Sequence, residues 1–179
     1  VKETAPFKWV GSNPTIHRQC GARFAMVLTR ADVFPEERLD ALVTYIESLP
    51  PPRPDPGAGR VDGRTTGARE RGFALFVRAA QKDGTPIPPE GRCVTCHPPP
   101  HYTNRLKADV GTHAPTDTHH EFDVPHLTGI GSKAPYLHDG RALSLEAIWT
   151  APDIFDQHGV VTDMDKRDLN DLVEFLKGL

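Results

Sequence analysis

The sequence predicts an all-α fold with long irregular loops, on three observations. Three segments carry apolar residues at helical spacing, Gly and Pro are frequent (15 and 18 of 179 residues), and residues 98–132 hold no stable helical or strand period. The length suits one ordinary domain or two small ones.

The first helical segment runs from Pro35 to Leu49, with Leu39, Leu42, Val43, Ile46 and Leu49 on one face and Pro35 in the first turn. A second runs from about Thr66 to Ala80, with Phe73, Phe76, Val77 and Ala80 on one face. Gly72 lies inside it. An interior Gly costs about 1 kcal/mol against Ala, so another backbone or a flat group is expected close by. The third, Asp165 to Leu179, is capped by Asp163 or Asp165 and repeats the offsets of the first with Leu169, Leu172, Val173, Leu176 and Leu179. Gln81 to Arg92 reads as a loop.

Each closing helix follows a shared opening: Ala5-Pro6-Phe7-Lys8-Trp9-Val10-Gly11 before the first, Ala134-Pro135-Tyr136-Leu137-His138-Asp139-Gly140 before the last. Duplication accounts for both features. Residues 1–50 then form the C-terminal part of a first unit, and residues 66–179 a complete second one. Between them lies a Pro/Gly-rich linker, 51–65, drawn from the Pro50 to Gly63 stretch.

A formal charge of −3 and a pI near 6.3 exclude the basic field that holds a nucleic acid. The longest apolar run, Phe24 to Leu28, is far below the ~18 residues of a membrane helix. The numbering begins at Val1 without Met or apolar leader, as in a processed exported chain or a piece of a longer one.

The densest chemical signal is Cys93-Val94-Thr95-Cys96-His97. Two thiols three residues apart can add to the two vinyl groups of one haem, with the adjoining imidazole as proximal iron ligand. A redox dithiol would follow a strand in a βαβ context, a disulfide would leave His97 unused, and a zinc site would draw further ligands from Cys20 or another His. The motif favours one haem c, covalent through Cys93 and Cys96, and a flat cofactor would explain how a long irregular stretch stays folded. Such attachment predicts a periplasmic or extracellular location.

Phe122-Asp123-Val124-Pro125-His126-Leu127, Ala134 to Arg141, Leu145-Glu146 and the final Leu-rich helix resemble the C-terminal haem domain of the bacterial di-haem cytochrome c peroxidase and MauG family. The resemblance covers about Gly67 to Leu179 and implies a cytochrome c-like helical domain. It also implies a companion haem domain, of which 1–50 would be the tail, one haem transferring electrons and the other reacting with peroxide. The companion CxxCH would lie upstream of Val1. In that family a Met ligand follows the His-Asp-Gly segment, in a register that falls on Pro152, which cannot ligate. His158 and Met164 are the nearest substitutes, and an open iron is the third alternative.

The family resemblance puts His138 in the distal neighbourhood, where it, Asp139 and Arg141 can anchor a loop or bind a propionate. Tyr136 joins the cofactor-binding set as a packed aromatic, and Trp149 reads as a core aromatic. His126 packs beside the haem edge. His101, His113, His119 and His120 read as solvated loop residues, Met26 as core or a ligand to another haem, and Cys20 as a buried free thiol. The resulting expectation is an exported cytochrome passing single electrons to redox partner proteins, as part of a larger, membrane-associated complex. The alternatives are a di-haem peroxidase and a structural module of a larger assembly.

Overall fold

The computed structural model describes residues 2–58, 60, 61, 64, 65, 67–150 and 155–179. Thr66, Gly59 and Gly63 of the expected helix start and linker, and Pro152 of the expected ligand register, lie outside the described residues.

The architecture is organised by one helix pair in the second half. Helix α6 (Lys166–Lys177) begins at a capping box: the Asp165 carboxylate accepts from the backbone N–H groups of Arg167 and Asp168, and Asp168 reaches back to the Asp165 N–H. Its inward face buries Asp171, Leu172, Phe175 and Leu176 against α3 (Ala68–Phe76), whose buried face is Ala68, Gly72 and Phe76. Full burial of a Leu such as Leu172 contributes about 1.5–3 kcal/mol. Gly72 is where the helices touch, because a Cβ there would stand 2.0 Å from the Asp171 carbonyl oxygen. Around that contact Arg71 grips Asp171 with two bonds of 2.5 and 2.8 Å, and the Phe175 ring sits 5.2 Å from Phe76 and 5.5 Å from Phe73.

Helix α3 is shorter than the periodicity predicts. It ends at Phe76, with Val77 and Ala80 exposed, because Arg78 turns away to hold Asp163 and the Val160 carbonyl. After Ala80 pairs with Pro86, a turn buries Ile87 and leads to the one-turn helix α4 (Cys93–Cys96).

In the first half, α1 (Ile16–Cys20) is capped by Thr15 and packs Ile16 and Cys20 on Leu39 of α2 (Glu36–Ser48), with Leu42, Val43 and Ile46 partly buried around them. A π-helical turn, Phe24–Thr29, lies between. The two duplicated openings share a backbone: Phe7 bridges Asn13 as Tyr136 bridges Ala142. Lys8 and Leu137 both take positive φ (70° and 66°), as do Gly11 and Gly140 (60° and 73°). In each, the glycine faces the ring of its own Ala-Pro proline.

The all-α expectation is corrected by two antiparallel strand pairs. Strand β1 (Arg60–Val61) pairs with β2 (Arg64–Thr65) inside the expected linker, and β3 (Lys107–Ala108) pairs with β4 (Phe122–Asp123) inside the stretch without period. Two-residue strands are too short to write an alternating pattern, so sequence periodicity does not reveal them. Helix α5 (Ala147–Thr150) lies between the second opening and the final loop. No described helix is long and apolar enough to cross a membrane.

Candidate functional site

Helix α4 ends at His97, whose N–H bonds the Cys93 carbonyl. Both thiols and the imidazole therefore leave one turn of chain. The His97 Nδ1–H donates to the Tyr102 carbonyl at 2.8 Å, which leaves the lone pair on the other ring nitrogen. Burial lowers the His97 pKa, opposed by the carbonyls of Tyr102 and Pro125, so a neutral ring is favoured. Behind it the buried Thr103 hydroxyl donates to the Val124 carbonyl at 2.6 Å and fixes the wall formed by Val124 and Pro125.

The loop after α5 brings a second imidazole. The Trp149 indole N–H donates to the His158 carbonyl at 3.0 Å, and the Val160 N–H donates to the Gly91 carbonyl at 2.9 Å. Asp156 closes the loop by accepting from the Val161 and Thr162 N–H groups and from the Thr162 hydroxyl. Gly159 takes φ +82°, and a Cβ on it would meet Cys93 Sγ at 3.6 Å. The turn therefore passes directly beside the first thiol. His158 Nδ1 is enclosed without a hydrogen-bond partner, and burial, reinforced by His97, lowers its pKa to about 4.

Both imidazoles and both thiols line one cavity of about 360 Å³. Its remaining surface is mainly apolar, with Phe76, Leu172 and Leu176 from the α3–α6 core facing Val124, Leu127 and Ile148. Burial raises the Cys93 thiol to about 11 and the Cys96 thiol in the same direction, so neither sulfur is a ready thiolate. The three described cysteines are free, with Cys20 buried against α2. A large apolar slot with two neutral imidazoles, one bearing an unpartnered ring nitrogen, and two adjacent thiols is a donor set that fits a covalently attached haem.

The other sequence candidates separate clearly. Tyr136 lines the cavity and donates its hydroxyl to the Ile130 carbonyl at 2.9 Å. His138 also lines it, stacked on Phe122 at 3.9 Å and bonded through Nε2 to Asp117 at 2.9 Å. Asp117 in turn accepts from the Ala114 N–H, and these two bonds hold its carboxyl below the usual range. His126 lines the wall beside Leu127. Arg141 does not line the cavity; it folds back on Asp139 at 2.6 Å, two residues away, because that carboxylate also accepts its backbone N–H. Met164 is likewise outside, packed on the α6 core cluster with its N–H on the Val161 carbonyl. Met26 is exposed. Trp149 is the residue whose positioning role the sequence leaves unread, since a backbone carbonyl acceptor carries no residue signature. Asp117, in a polar loop, is equally silent.

No family model matches this chain. It is similar to the hydrazine synthase subunit gamma of Kuenenia stuttgartiensis, with 28% identity over 220 residues, 97% of this chain and 58% of that protein. The chain thus spans little more than half the length of that curated relative. Among solved structures it resembles a Kuenenia stuttgartiensis hydrazine synthase pressurised with 20 bar xenon, with a TM-score of 0.78 and 25% identity, over 98% of this chain and 68% of that one. These matches overturn the di-haem peroxidase and MauG resemblance. The single-electron-carrier and peroxidase readings fall as well, and with them the picture of an electron-transport cytochrome. The shared segments, CxxCH and Ala-Pro-Tyr-Leu-His-Asp-Gly, are short and describe local backbone and thiol chemistry, which does not decide what a whole protein does. The matched relative is, by its name, one subunit of an enzyme with several.

Proposed function

We propose that this chain is a haem-holding part of a gamma-type subunit in a multisubunit enzyme of the hydrazine synthase kind. The observation that carries the reading is the convergence of Cys93, Cys96, His97 and His158 on one apolar cavity, in a chain alike over 97% of its length to such a subunit. One haem c would be held covalently through Cys93 and Cys96, with His97 and His158 as its imidazole ligands. Bound there, it supplies a redox-active iron.

The chain's own residues do the rest. The Tyr102 carbonyl sets the His97 tautomer, and Trp149 and Gly91 hold the His158 loop at its distance from α4. Phe76, Leu172, Val124 and Leu127 keep water from the slot. His138, oriented by Asp117, lines the cavity with its Nδ1 unbonded, a polar partner for a charged group. The repeated opening supports reading 66–179 as one complete unit and 1–50 as the end of a similarly built one, joined by 51–65. Exposed apolar side chains concentrated in 1–50, including Met26, Val27, Leu28 and Tyr45, are surface that neighbouring subunits would cover.

Purification of the native assembly tests this. The chain is expected to co-purify in fixed ratio with other subunits, and the assembly to form hydrazine. Cys93→Ala/Cys96→Ala is expected to abolish haem on this segment and to depress hydrazine formation. A chain that purifies alone, or an assembly that forms no hydrazine, contradicts the reading.

A further inference from the structure

We propose that Asp109, His113 and His120 form a zinc-class divalent cation site that clamps the neck of the loop between β3 and β4. The β3–β4 register sets Lys107 opposite Asp123 and Ala108 opposite Phe122, so the chain leaves the strand pair at Asp109 on one side and at Glu121 on the other, with His120 the next residue along. His113 folds back to meet them. One potential ligand atom from each of the three residues falls within 4.8 Å of the others. The Asp109 carboxylate oxygen is 3.7 Å from His113 Nδ1, and the His113 and His120 rings are 4.1 Å apart at 40°.

The Asp109–His113 separation is too long for a hydrogen bond and close to the spacing of donors around one small cation. Metal–nitrogen bonds of about 2.0–2.1 Å in a tetrahedral shell put neighbouring donors roughly 3.3 Å apart. His113 Nδ1 is enclosed yet bonds no protein group, although a buried ring nitrogen normally finds a partner. Two imidazoles and one carboxylate suit zinc and its borderline neighbours rather than calcium or magnesium, and a water completes the shell. A second cluster, His17 with Glu36 and Asp40, differs in kind. There the His17 Nε2 already meets both carboxylates at 3.2 Å, which satisfies it as an ion pair between α1 and α2.

The loop so clamped supplies Val110 and Thr112 to the cavity wall and Asp117 to His138. A cation at its neck would fix those three without touching the cavity. The site stands on the loop's own residues and is independent of whether a haem is bound.

The untagged native protein, stripped with a chelator and dialysed, is titrated with Zn²⁺ alone, and bound zinc is counted by elemental analysis. One equivalent is expected to be lost in His113→Ala/His120→Ala, with affinity down 100-fold or more, and to bind about tenfold more weakly in Asp109→Asn. His119→Ala, outside the cluster, keeps it. Zinc-edge X-ray absorption is expected to show a nitrogen and oxygen shell with imidazole scattering. If the double variant misfolds by circular dichroism, His120→Gln, at an exposed position, supplies the same readout. Zinc binding unchanged in the His113, His120 and Asp109 variants, no equivalent bound by the wild type, or sulfur in the shell overturns the proposal.

Discussion

Replacing Gly72 by Ala sets two effects against each other, and the α3–α6 contact decides which wins. In an isolated helix the change is favourable by about 1 kcal/mol. Here the new methyl would lie 2.0 Å from the Asp171 carbonyl oxygen, 2.7 Å from its carbon and 2.7 Å from Phe175 Cβ. All are backbone or backbone-proximal atoms that no side-chain rotation can clear. Restoring ordinary contact requires the helices to part by roughly 1.5 Å, enough to forfeit much of the dispersion attraction across the seam. The Arg71–Asp171 fork and the Phe76–Phe175 packing lie on the same seam and would loosen with it. Overpacking of this kind costs about 1–3 kcal/mol or more, and the rigid neighbours place Gly72 at or above the top of that range. After the helix gain, a net loss of about 2–3 kcal/mol remains. For a chain of this size that lowers Tm by roughly 5–10 °C. Thermal unfolding followed by far-UV circular dichroism reads it, with the exposed Ala74→Gly as calibration of helix propensity alone, expected to cost about 1 kcal/mol. A Gly72→Ala protein as stable as the wild type, or more stable, would refute the packing argument.

His158→Ala is expected to convert a six-coordinate low-spin haem spectrum to a high-spin one, while Met164→Ala leaves the spectrum unchanged; the reverse pattern removes His158 as ligand. Asp163→Ala strands Arg78, whose side chain is 13% exposed and whose guanidinium is doubly bonded to that carboxylate, and urea unfolding is expected to show a loss of about 3 kcal/mol. A loss under 1 kcal/mol would mean that Arg78 finds water instead. Asp123 has a buried, unpartnered Oδ1, and burial raises its carboxyl to about 6 against the opposing pull of Lys107. Its raised folded pKa means that the protonated form is favoured by folding, so this contribution is full below about pH 4 and lost as pH rises through 6. Asp123→Asn is therefore expected to stabilise the protein at pH 8 by about 1 kcal/mol, the shift being discounted for a half-buried group, and to have no effect at pH 4. An equal effect at both pH values would show that the gain is not electrostatic.

What the sequence made legible follows from how each feature is encoded. The two closing helices repeat a 3.6-residue pattern over four turns, and α2 and α6 form where it stands. Gly72 announced a close approach because no other role suits a glycine there. Short features carried less. The β3–β4 pair is two residues long on each side, and the early end of α3 depends on Arg78 finding Asp163, 85 residues away. At the site, Cys93, Cys96 and His97 were readable because their chemistry demands adjacency. His158 and Met164 were both open in sequence, with His158 favoured on ligand chemistry, and they are separated in the structure by a loop that Trp149, Gly91 and Asp156 fold toward the cavity. The histidines at 113 and 120 looked solvated because the strand register that assembles them is invisible to composition. The family inference failed for a related reason, since short local motifs report local chemistry and leave the rest of the protein unspecified.

Peptide mapping by mass spectrometry of the denatured, protease-digested native protein tests the site most directly. One haem joined by two thioether bonds to the peptide containing residues 93–97, surviving acid–acetone extraction, is expected. Unmodified thiols at Cys93 and Cys96 in protein taken from its native source would contradict it.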